Sequence, residues 1–132
     1  MSATRLALLL FILTWPGHAD SPPLAVQTFP PSSIGTILGR SITDPSGDEI
    51  GRLVDLLVDR DGQPRAVIVD VGGFLGIGMR RVAIAWEALR FVPETGEIRI
   101  AKDVTTDEVA AAPEFRGADQ PVQVLLPRRI QP

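Results

Sequence analysis

Apolar and polar positions alternate most regularly between residues 39 and 101, where short apolar runs are separated by turn signals. Residues 66–71 (AVIVDV) and 82–86 (VAIAW) are rich in β-branched and small apolar side chains. That is the composition of strands packing on a pleated surface. Between them stand Gly72, Gly73, Gly76 and Gly78, enclosing an apolar tip, Phe74-Leu75-Gly76-Ile77. Turn signals recur at 44–48 (DPSGD), 59–62 (DRDG) and 93–96 (PETG), where Pro and Gly supply the backbone angles that tight turns need. The pattern predicts six strands, at 39–43, 49–59, 65–71, 82–86, 89–92 and 98–101. Short strands at such spacing make a small all-β barrel or sandwich.

Strict period-two alternation in the long second strand puts Ile50, Arg52, Val54, Leu56 and Val58 on one face. Leu53, Asp55, Leu57 and Asp59 fall on the other. Both faces carry apolar residues, so part of this strand is expected to be covered on both sides. In the third strand Val67, Val69 and Val71 share one face, and Ala66, Ile68 and Asp70 the other. One short helix is expected at 105–112: Thr105 caps its amides, Asp107 and Glu108 complement its dipole, and Pro113 stops it. Beyond residue 115 the chain reads as a Pro-containing tail, 116–132, in which VQVLL can add an edge strand.

The N-terminus changes the picture of where the chain goes. Arg5 followed by LALLLFILTW, then Pro16-Gly17-His18-Ala19, reads as a secretory signal peptide over 1–19, cut at the Ala19-Asp20 junction. The apolar run is well short of the ~20 residues that span a bilayer. An uncleaved anchor is the alternative. Residues 20–33 (DSPPLAVQTFPPSS) carry two Pro-Pro pairs and no periodicity, the mark of an extended linker. An arm docking through Leu24, Val26 and Phe29 is the sharper alternative. The folded domain is expected over 34–115, in a periplasmic or secreted protein.

Net charge is −3, which supplies no broad field for nucleic acid; the basic pairs Arg80-Arg81 and Arg128-Arg129 are too small for such a surface. There is no cysteine, which removes disulfides, thiolate catalysis and Cys-based zinc sites. The single histidine, His18, falls inside the expected signal peptide.

The order and spacing of these elements resemble the PRC-barrel family. The resemblance rests on Gly39-Arg40, Gly47, Ile50-Gly51-Arg52 and Val54-Asp55-Leu56-Leu57-Val58-Asp59. It continues through Gly62, Ala66-Val67-Ile68-Val69, the segment from Val71 to Gly78, and Val82-Ala83-Ile84-Ala85-Trp86 with Leu89. It implies a compact six-stranded β-barrel with one short C-terminal helix, serving as a binding or assembly module without catalysis of its own. The chain departs from the reaction-centre H subunit of that family in lacking its membrane-spanning helix. It departs from the ribosome-maturation factor in lacking that protein's separate N-terminal domain and in being marked for export.

Candidate chemistry is thin. No Gly-Lys-Ser/Thr follows the glycine-rich loop, and a strand rather than a helix comes next, so it is not a phosphate cradle. Asp59, Asp61 and Asp70 match the first, third and last positions of a calcium loop. Pro64, however, stands where that loop needs glycine, so Asp59 and Asp61 read as turn residues. Asp55 is expected to pair with Arg52 or Arg81. Ser46 beside Asp44 and Asp48 lacks a base, and Lys102 beside Asp103 reads as a solvated site. No catalytic residue, metal or cofactor is therefore expected. The remaining candidate is a contact surface for a protein partner or a second copy: Phe74, Leu75, Ile77 and Met79 at its apolar centre, Arg80 and Arg81 on its rim. Phe74, Leu75 and Ile77 either cap the barrel or form this patch. A membrane-surface contact through the same loop is one alternative, and an RNA-associated factor, were residues 1–19 retained, is another.

Overall fold

The computed structural model describes residues 12–18, 21–72 and 78–132. Seven strands form one sheet in the order β5-β6-β1-β2-β3-β4-β7. They are β1 (Ser41–Thr43), β2 (Glu49–Val58), β3 (Pro64–Val71), β4 (Arg80–Ala85), β5 (Leu89–Val92), β6 (Glu97–Ile100) and β7 (Val124–Leu125). One helix, α1 (Thr106–Ala111), separates β6 from β7. Ile42, Leu53, Val67, Ile84, Leu89 and Ile98, one from each of the first six strands, meet in a single buried cluster, with Val124 and Leu125 packed against it. A flat sheet this wide cannot bring its two edges to one core, so the sheet is curled into a half-barrel.

The expected six strands are all present, with ends shifted by one or two residues, and β7 makes a seventh. It is a two-residue strand in the VQVLL run, and it pairs in parallel with β4 (Ala83↔Val124, Ile84↔Leu125). The chain beyond residue 115 thus reaches the sheet through Val124 and Leu125. Pro127 is fully buried, and Leu126 packs against the core.

Strict alternation fails in β2. Paired against β1, the strand carries one extra residue at Ile50; paired against β3, it carries another at Val54. Each bulge resets the two-residue period. Leu53 opposite Val69 and Leu56 opposite Val67 therefore face the same core, three residues apart, instead of opposite faces as alternation predicts. β3 follows its expected pattern: Val67, Val69 and Val71 enter the core cluster. Ala66 and Ile68 are buried as well.

The helix forms as expected. Thr105 accepts the Glu108 amide and the Glu108 carboxylate accepts the Thr105 amide, a complete capping box. Val104, Val109 and Ala112 enter the core, so α1 closes one end of the curled sheet. Glu108 also pairs with Arg128 at 3.2 Å, and Asp103 pairs with Arg129 at 2.7 Å. These pairs clasp the C-terminal segment to the helix region. The Thr105 amide, aided by Arg128, holds the Glu108 carboxyl below its usual range. The unfolded chain therefore takes up this proton first as pH falls. The stability contributed is complete above the ordinary glutamate range and is lost as pH drops through the lower folded value. Thermal unfolding followed by circular dichroism should show a Tm that declines below about pH 4.5, with a shallower decline in Glu108→Gln. Parallel pH curves for the two proteins would count against this clasp.

Residues 12–18 and 21–40 form no helix or strand, and Leu24, Val26 and Phe29 are exposed. Among the described residues no helix is long and apolar enough to cross a membrane.

Candidate interaction surface

The site begins where the β3–β4 ladder ends, at the pair Val71↔Arg80. Gly72 and Gly78 follow, both with φ near +80°, a region open to glycine at little cost. A Cβ on Gly72 would lie 3.0 Å from the Gly78 carbonyl oxygen. The chain therefore leaves the sheet and returns through one narrow neck. Phe74, Leu75 and Ile77 belong to the five-residue segment strung from this neck; the expectation that they cap the barrel or form a patch lies outside the described residues.

On the near side of the neck, Met79 is 58% exposed. Arg81, its side chain 61% exposed, donates through Nε to Asp70 at 2.9 Å, directly across the strand pair Asp70↔Arg81. An exposed pair of this kind contributes about 0–1 kcal/mol, so its main effect is to fix where the guanidinium sits. Arg80 is held differently. It is half-buried, and its guanidinium donates to the carbonyl of Ala112 at the end of α1. A cation there satisfies a terminal carbonyl and complements the helix dipole. Met79 and Arg81 thus reach the surface, while Arg80 ties β4 to the helix.

Beside the neck a groove of about 350 Å³ is lined by Ile50, Val71, Gly72, Gly78, Arg80 and Val109, among others. The outer edge of β4 is partly covered by the chain after α1: Glu114 bridges to Val82, and the Phe115 amide donates to the Arg81 carbonyl at 2.7 Å.

The family model of the PRC-barrel domain matches residues 32–106. The chain belongs to the PRC-barrel family. No curated protein matches it. The PRC-barrel match ends in the first turn of α1, so most of the helix, β7 and the closing C-terminal segment follow the matched region.

The other sequence candidates behave as turn and surface groups. Asp59 accepts the amides of Asp61 and Gln63, and Asp44 accepts those of Ser46 and Asp48, so both carboxylates organise turns. Ser46 donates its hydroxyl to Asp44 at 2.6 Å. The expected partners of Asp55 are a correction. Arg52 donates to the Gly39 carbonyl and Arg81 to Asp70, while Asp55 accepts the Leu56 amide. In the β2–β3 ladder Asp55 stands opposite Ile68, and it is Arg52 that stands opposite Asp70.

One cluster escaped the sequence reading. Arg90, Arg99, Lys102 and Arg129 line a second groove of about 530 Å³ with Pro45, Ala101 and Asp103. They are scattered along the chain, and only the pairing of β5 with β6 and the return of the C-terminus collect them.

Proposed function

We propose that this PRC-barrel protein is a non-catalytic, exported binding module that meets a protein partner, or a second copy of itself, through the end of the β3–β4 hairpin. The observation that carries the reading is the narrow Gly72–Gly78 neck, from which the apolar sequence Phe74-Leu75-Gly76-Ile77 is strung. Met79 and Arg81 are exposed beside it. An apolar centre with charged groups at its edge is the usual anatomy of a contact surface, and a few large side chains supply most of the affinity. Export rests on residues 1–19, whose charged start, apolar run and small residues before Asp20 fit a cleaved signal peptide.

The test is a pull-down from periplasmic extract with the wild type beside a Phe74→Ser, Leu75→Ser double variant, with circular dichroism on both. The expected result is a partner, or a dimer, held by the wild type and lost by a folded variant. An unfolded variant would make the two residues core and end the proposal. N-terminal sequencing of the fractionated protein should begin at Asp20; an intact Met1 would count against export by cleavage.

A further inference from the structure

The basic groove at the β5–β6 edge has a charge arrangement that the fold alone does not account for. Arg90 and Arg99 are directly opposite each other across the strand pair, and like charges so placed destabilise a sheet. Lys102 and Arg129 line the same groove. Two of the four cations are neutralised locally: Arg99 by Glu97 at 2.7 Å, and Arg129 by Asp103 at 2.7 Å. Arg90 spends one nitrogen on the carbonyls of Glu87 and Leu89. Among the described residues neither Arg90 nor Lys102 has an acidic partner within ion-pair distance. The Nε of Arg99 is buried without a hydrogen-bond partner among the described residues. All this stands on a chain of net charge −3, where cations concentrated at one place are not a general surface property.

The geometry points to this groove as a binding site for a phosphate monoester, a dianion matching the two uncompensated charges of Arg90 and Lys102. Arginine suits such a group because its planar fork donates two parallel hydrogen bonds to phosphate oxygens. The groove, about 530 Å³, exceeds the needs of a bare phosphate, and exposed Pro45 offers apolar surface for the body carrying it. The phosphate can belong to a soluble ester or to a lipid headgroup.

Two probes separate these sources: glycerol 3-phosphate, and phosphatidylcholine vesicles containing phosphatidic acid, each at matched chloride ionic strength. Amide NMR titration of the purified protein should shift Arg90, Arg99, Lys102 and Arg129 together. Arg90→Gln and Lys102→Gln should each weaken binding about tenfold, the worth of one charge-assisted hydrogen bond. The wild type should gain Tm with the bound probe, and Arg90→Gln should gain less at the same probe concentration, yet match or exceed the wild type in chloride alone because the cross-strand repulsion is gone. Binding of the soluble ester assigns a soluble ligand; binding of the vesicles alone assigns a lipid headgroup. Absence of binding to both, shifts elsewhere on the protein, or unchanged affinity in both variants would overturn the assignment. Lys102 makes no hydrogen bond in the described structure, so its variant keeps the test sound if Arg90→Gln proves unstable.

Discussion

Gly51→Ala should lower stability by about 3 kcal/mol or more, the top of the range for overpacking a well-filled core. The cause is backbone proximity. A Cβ at Gly51 would lie 2.4 Å from the Asp70 carbonyl oxygen and 2.7 Å from the Val69 Cγ1. The carbonyl belongs to the β2–β3 ladder, where Gly51 pairs with Val71, so it cannot turn aside as a long side chain would. Relief requires the two strands to separate between the bulges at Ile50 and Val54. Urea unfolding should report the loss, and the Tm should fall by roughly 12 °C or more. Gly35→Ala is the control, since nothing lies within 4 Å of the added carbon and no positive φ is required there; it should leave the midpoint unmoved. A wild-type midpoint for Gly51→Ala would mean that β2 and β3 do not approach as closely as described.

Removing residues 117–132 should cost roughly 5 kcal/mol, enough to leave the barrel partly unfolded given the small net stability of domains this size. The segment carries fully buried Pro127 and the half-buried Val124, Leu125 and Leu126 that pack on the core. It also covers the edge of β4 and brings Arg128 and Arg129 to Glu108 and Asp103. Without it, Ala83 and Ile84 stand on an unpaired edge, the kind of surface that promotes aggregation. The measurement is the soluble yield and Tm of the truncated chain beside those of the full chain. A truncated protein with the same Tm would make the C-terminal segment an appendage, although it lies on the sheet. The family match stops at residue 106, so this experiment asks whether the fold depends on a segment that lies beyond the matched region.

The family and most of the strands were legible because they depend on local pattern. The turn at Asp59-Arg60-Asp61-Gly62 needs only an Asp that accepts two nearby amides and a glycine at positive φ. Thr105 and Glu108 cap each other across three residues. The β-branched runs of β3 and β4 read as strands whatever their neighbours. Of the proposed contact surface, the apolar residues stand out as a sequence, and Met79 and Arg81 are exposed beside them in the chain.

Tertiary structure decided what depends on partners far away in the chain. The bulges at Ile50 and Val54 arise only when β2 is matched to β1 and β3, and they turn Leu53 and Leu56 to one side against the period-two rule. Arg80 and Arg81 look alike in sequence, yet adjacent strand residues point to opposite faces. One is bound to the carbonyl of Ala112, and the other stays on the surface with Asp70. The seventh strand needs the curled edge of β4 to pair with, because a two-residue strand has no partner of its own nearby in the chain. The basic groove needs β5 against β6 to set Arg90 opposite Arg99, and the returning C-terminus to add Arg129. Local hydrogen bonds and hydrophobic periodicity act within a few residues and are written in the sequence. Register, bulges and charge clusters come from long-range packing and take form only when the sheet closes around its core.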